Sequence, residues 1–164
     1  MHFSIPIITS LLSSSLASKA LFARQSTNTE EQYLSEVCFP NTTNPIPPCQ
    51  EIINIQEACT PNGTAPLDLL AHAECMCGGS FSDWIGCLNC DYIHGARSPQ
   101  EVDTFDTIIS SASQILCTGT PTANFTAIFN SLTDLGVQGT GATGMEDQFP
   151  SNTAVSLYFT ASGR

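Results

Sequence analysis

Apolar residues along this chain recur at intervals of three and four, the period of a helix with one buried face. The series opens with Tyr33, Leu34 and Val37, behind Thr29, with Glu30 and Glu31 where acids favour a helix start. Phe39 to Pro48 holds four prolines and reads as a loop. Cys49, Ile52, Ile53, Gln56 and Cys59 form the stripe of a second helix. Thr60 to Ala65 is a turn. Pro66 suits a first helical position, and Leu67, Leu70 and Ala71 open a third helix that runs to Cys75. Gly78-Gly79 breaks the chain. Ser80 or Ser82 then caps a fourth helix, whose inward face is Phe81, Trp84, Ile85 and Leu88 and whose stop is Gly95 after His94. Ser98-Pro99-Gln100-Glu101 combines a capping box with a first-turn proline. Val102, Phe105, Ile108, Ile109, Ala112 and Leu116 carry the face of this fifth helix to Cys117. A sixth presents Phe125, Ile128, Phe129, Leu132 and Leu135 inward. Gly136 to Gly144 has four glycines and no period. Val155, Leu157 and Phe159 alternate, which predicts an extended segment packed on the helices.

These elements predict an all-α fold: a small disulfide-stapled helical domain of about five or six short helices, with a flexible or extended C-terminal tail. Residues 21–135 form the cysteine-rich helical domain, and 136–164 a Gly-rich linker with a C-terminal extended segment. Residues 1–20 read as a signal peptide. Ile5 to Leu16 is an apolar run of secretory length, and Ser18-Lys19-Ala20 offers small residues for cleavage, although the segment before the run is weakly cationic. The run is too short to span a bilayer. Cleavage can follow Ala17, Ala20 or Ala23; after Ala20 it leaves Arg24, Arg97 and Arg164 against all fifteen acids, a net charge of −12. Such a surface repels phosphate backbones and anionic lipid, so nucleic acid is excluded as a partner, and no transmembrane segment is expected.

Eight cysteines behind a signal peptide imply disulfides, and an even number lets all of them pair. The set is Cys38, Cys49, Cys59, Cys75, Cys77, Cys87, Cys90 and Cys117, and on the order of a hundred pairings are open. Four of these lie in Cys75–Gly95, around which the chain is organised. If each helix is tied to another, at least one bridge runs from this block back to Cys38–Cys59 and one forward to Cys117. Trp84 then belongs in the core where they meet. Cys75-x-Cys77 with Cys87-x-x-Cys90 also has the outline of a four-thiolate zinc site, and Cys87-Leu-Asn-Cys90 has redox spacing. An oxidising compartment and a position inside a helix favour structural bridges over both. His72 and His94 are candidate metal ligands with Glu74, Asp83 or Asp91; structural or solvated histidines are the plainer reading. No nucleophile elbow or zinc-protease helix motif occurs, and nothing nominates a general acid and base pair. Asn41, Asn62 and Asn124 are glycosylation sequons, whereas Asn44 is blocked by Pro45.

The block Cys-x-Cys-Gly-Gly-Ser-Phe-x-Asp-Trp-x-Gly-Cys-x-x-Cys, followed by His-Gly, resembles a group of uncharacterised small secreted proteins of filamentous fungi. The similarity runs from about Cys38 through Leu132, with a further stretch at Thr153–Thr160. It implies secretion, disulfides and an effector-like or cell-surface role, and it brings no catalytic residues. A weaker likeness is to fungal CFEM domains, eight-cysteine helical modules of which some bind haem. The spacing of Cys75-x-Cys77, then nine residues, then Cys87 is similar. That family's opening pair of close cysteines is missing, and the gap from Cys90 to Cys117 is too long. Its haem-ligating Asp is missing too: Asp68 is too far away, and His72 or Glu74 would have to substitute. The expectation is therefore a secreted, extracellular, non-catalytic glycoprotein without a cofactor, which binds a protein, glycan or small ligand. The alternatives are a CFEM-like haem or small-ligand module and a small secreted hydrolase.

Overall fold

The computed structural model describes residues 28–79, 81–136 and 145–160. The expected signal segment, residues 137–144 of the glycine-rich stretch and Ser80 as a cap lie outside them. The described residues form six α-helices and one short 3-10 helix: α1 (Asn28–Cys38), α2 (Pro48–Ala58), α3 (Pro66–Gly78), α4 (Ser82–Ile93), α5 (Pro99–Cys117), α6 (Phe125–Gly136) and the 3-10 helix Val155–Leu157. None of these helices is long and apolar enough to cross a membrane.

Local chemistry accounts for most boundaries. Prolines occupy the first turns of α2, α3 and α5, where a missing N–H costs nothing. Ser98 Oγ accepts from the Glu101 N–H, and Glu101 returns a carboxylate oxygen to the Ser98 N–H at 2.8 Å, closing both halves of the capping box. Asn124 Oδ1 accepts from the Ala127 N–H at 2.9 Å and starts α6 in the same way. At α4 Ser82 does not cap: it is already helical, and Phe81 holds the cap position.

α4 is the hub. It packs on α1, α2 and α5, while α3 lies against α5 and α2, and α6 lies along α5. The bridges are Cys38–Cys90, Cys49–Cys87, Cys59–Cys75 and Cys77–Cys117, with no free cysteine among the described residues. Three therefore run from the central block back to Cys38, Cys49 and Cys59, and one runs forward to Cys117. They join the helices in the order α1–α4–α2–α3–α5. α6 carries no bridge and is held by packing. Phe125, Ile128 and Phe129 are buried, and the Trp84 and Phe125 rings meet edge to face at 5.4 Å. Trp84 itself is 2 % exposed and shares the core with Val37, Ile52, Met76, Leu88, Ile109 and Leu116.

Three expected faces are corrected. On α3, Leu67 is 79 % exposed, and Leu70 and Ala71 also face out; Leu69, His72, Ala73 and Met76 are buried instead. The sequence Pro66–Met76 is apolar on both sides, so its own pattern does not fix the phase. Leu135, in the last turn of α6, is exposed. The alternating segment near the C-terminus winds into the 3-10 helix rather than extending, so Val155 and Tyr158, three apart, are the buried pair.

Candidate functional site

The end of α4 gathers most of the buried polar chemistry. The helix stops at His94, and Gly95 takes a left-handed conformation (φ 78°). The Gly95 N–H then bonds to Tyr92 O at 3.1 Å and the Ala96 N–H to Asp91 O at 2.8 Å, which satisfies two terminal carbonyls. Glycine is needed here for a second reason. A Cβ on Gly95 would stand 2.3 Å from Met145 O and 3.2 Å from Asp147 N, because the segment 145–148 passes directly over it. The Gln148 N–H donates to Ile93 O at 2.8 Å and fixes that crossing.

This crossing brings Asp147 to His94 and Tyr33, three residues from α1, the end of α4 and the C-terminal segment. The Tyr33 hydroxyl donates to Asp147 Oδ2 and accepts from the Ser151 N–H at 3.1 Å. His94 Nδ1 lies 3.2 Å from Asp147 Oδ1 and 3.3 Å from Tyr33 Oη. A carboxylate only accepts, so the proton sits on Nδ1 and is donated to it. His94 Nε2 is buried with no hydrogen-bond partner among the described residues. Partial burial pushes the Asp147 carboxyl up, but the Tyr33 hydroxyl, the Phe149 N–H and His94 together hold it below the usual carboxylate range. Burial raises the Tyr33 phenol, and the bond to Asp147 raises it further, against a lowering by the Ser151 N–H. Two side chains and one backbone N–H thus serve the Asp147 carboxylate, and the arrangement anchors a chain segment electrostatically.

Beneath the turn, Arg97 Nε donates to Asp91 Oδ2 at 3.0 Å, and the guanidinium lies 4.6 Å above the Phe105 ring. Both members of the pair are buried. Burial pushes the Asp91 carboxyl up, and the Arg97 charge opposes that only in part.

The candidate histidines and acids are thus distributed rather than gathered. His72 sits in the α3 interface, with Nδ1 on Cys59 O and Nε2 accepting from the Phe125 N–H at 3.0 Å. Both ring nitrogens are in use, so His72 ties the end of α2 to the start of α6 and holds no lone pair for a metal or haem. Glu74 is exposed and Asp83 buried. His94 bonds to Asp147, and Asp91 pairs with Arg97. Among the described residues no group of three His, Cys, Asp or Glu gathers to hold a metal ion. Asn41 and Asn62 are exposed, and Asn124 is partly exposed at the start of α6.

Sequence reasoning missed Tyr33, Asp147 and the Asp91–Arg97 pair. One signal was available: Arg97 is the sole Lys or Arg between Arg24 and Arg164 in a strongly acidic chain, and it directly follows a helix stop. Asp147 had none, being an isolated acid beyond a glycine-rich stretch. No protein-family model, curated protein or solved structure matches the chain.

Proposed function

We propose that this is a secreted, N-glycosylated, non-catalytic protein that acts outside the cell by binding, in an effector-like or cell-surface role, and that its partner is neutral or cationic. The observation that carries the reading is the charge of the outer surface. Among the described residues Arg97 is the only Lys or Arg, and it is buried against Asp91. Glu31, Glu36, Glu57, Glu74, Asp103, Asp106 and Asp134 are all exposed. The exposed charged side chains of the described residues are thus carboxylates, and such a surface attracts cations and repels anions over roughly a Debye length, about 8–10 Å at moderate salt. Four disulfides, two exposed sequons and the likeness of Cys75–Gly95 to small secreted fungal proteins support an extracellular setting.

The test uses the protein purified from a secreting host, with chitin, chitosan and dextran sulfate particles as probes. Chitin and chitosan share a backbone and differ in free amines. Retention on chitosan that weakens as salt rises, with the protein and the polymer recovered chemically unchanged, is the expected outcome. Retention on dextran sulfate at low salt, or release of soluble sugar from either polymer, would overturn the reading.

A further inference from the structure

The four bridges divide by exposure. Cys38–Cys90 and Cys49–Cys87 are buried at both ends, with no cysteine more than 3 % exposed. Cys59–Cys75 and Cys77–Cys117 each keep one exposed partner, Cys75 and Cys117. Both of these bridges end on α3. Cys117 also lines an open trough along the solvent side of α5, with Ser110, Ser113, Gln114 and Thr118 as hydroxyl and amide walls and Asp106 as its carboxylate. A thiol reaches a disulfide only if it can approach one sulfur along the bond axis, so access separates the two classes of bridge.

We propose that Cys77–Cys117 is a thiol–disulfide exchange site for a neutral or cationic dithiol, that Cys59–Cys75 follows it, and that together they release α3 while α1, α2 and α4 stay bridged. In the first step the incoming thiolate attacks Cys117 Sγ. The Cys77–Cys117 bond breaks, and its electron pair leaves on Cys77 Sγ, which takes a proton from water. The reagent's second thiolate then attacks the reagent sulfur of the mixed disulfide, closes a disulfide within the reagent, and expels Cys117 as a thiol. The bridge gains two electrons and two protons, and the dithiol loses the same. The same sequence at Cys75 expels Cys59.

The chemistry around the bridges selects the reagent. Glu74 adjoins Cys75, Glu57 lies two residues before Cys59, and Asp106 lies in the trough. These carboxylates repel an anionic thiol such as glutathione and leave neutral or cationic thiols unhindered. Once both bridges open, α3 is held by Leu69, Ala73 and Met76 and by the two bonds of His72. Its departure would show solvent an apolar face on the side opposite Leu67 and Leu70.

The experiment is graded reduction of the folded wild-type protein with dithiothreitol, quenched by acid, alkylated and mapped by mass spectrometry. Thiols should appear first at Cys77 and Cys117, then at Cys59 and Cys75, giving a four-thiol species before Cys38, Cys49, Cys87 or Cys90 reacts. Hydrogen exchange on that species should show α3 unprotected and α4 still protected. Compared at equal thiolate concentration and low salt, cysteamine should cleave the first bridge about tenfold faster than glutathione, and high salt should close the gap. Eight thiols appearing together, or an early thiol at Cys87 or Cys90, would overturn the exchange site. Persistent protection of α3 would overturn its release, and equal rates for the two monothiols would overturn the reagent class.

Discussion

Replacing Gly95 with Ala tests the polar junction at the end of α4. Two costs arise at once. A non-glycine residue at φ 78° costs about 1–2 kcal/mol. The new Cβ also meets Met145 O at 2.3 Å, a backbone atom that cannot rotate away, so the segment 145–148 must lift. Lifting it breaks the Gln148–Ile93 bond, worth about 0.5–1.5 kcal/mol net, and withdraws Asp147 from Tyr33 and His94, worth about 1–2 kcal/mol at a partly exposed carboxylate. The sum is about 2.5–5.5 kcal/mol, against about 1–2 if only the backbone conformation matters. Urea melts with the bridges intact would measure it as a lowered midpoint. The decisive comparison adds Asp147→Ala. If Gly95→Ala already displaces Asp147, the second substitution costs almost nothing in that background and about 1–2 kcal/mol in the wild type. Additive costs would refute the argument that the segment and the glycine are one structure.

Three further outcomes are expected. Trp84→Ala should lower stability by about 3–5 kcal/mol as a core truncation, and the native tryptophan emission should be blue and poorly quenched; red, freely quenched emission would place the ring at the surface. Asp147, held low in the fold, contributes stability that is present above the ordinary carboxylate value near pH 4 and is lost as pH falls through its lower native value. Asp91, pushed up by burial, contributes with the opposite sign, so the difference between wild type and Asp147→Asn isolates the junction: it should shrink toward zero in acid, and a gap that stays constant with pH would contradict the assignment. At α6, Asn124→Ala should cost about 1 kcal/mol through the lost cap, whereas Thr126→Ala removes the sequon and keeps the cap, so only the glycan mass should change, as melts and intact-mass spectra would show.

What the sequence revealed follows from the range of each interaction. The start of α5 was legible to the residue because Ser98, Pro99 and Glu101 act within one turn. The stop of α4 was legible because Gly95 acts alone. The face of α3 was not, since Leu67, Leu69 and Leu70 offer two phases and only the bridges at Cys75 and Cys77 and the packing against α5 choose between them. The 3-10 turn was hidden because Val155, Leu157 and Phe159 alternate as a strand would, while burial follows Val155 and Tyr158. Phe159 finds its place through a contact that no pattern announces: a Cβ on Gly86 would stand 2.6 Å from its ring, so the bare backbone of α4 receives it. The polar junction joins residues 61 and 114 positions apart, Tyr33 with His94 and Tyr33 with Asp147, and no local signal reaches that far.

The order in which the bridges link the chain bears on how the molecule survives proteases. Cys38–Cys90 and Cys77–Cys117 overlap in sequence, so every peptide bond between Cys38 and Cys117 lies inside at least one closed loop. One cut anywhere in that span leaves a single covalent molecule, nicked and still assembled. A cut beyond Cys117 has the opposite effect, since α6 and residues 145–160 have no covalent tie back to the helices. The nicked chain would keep its mass on a non-reducing gel in the first case and lose a C-terminal piece in the second. Proteolytic damage therefore divides at Cys117, tolerated from Cys38 up to it and subtractive after it.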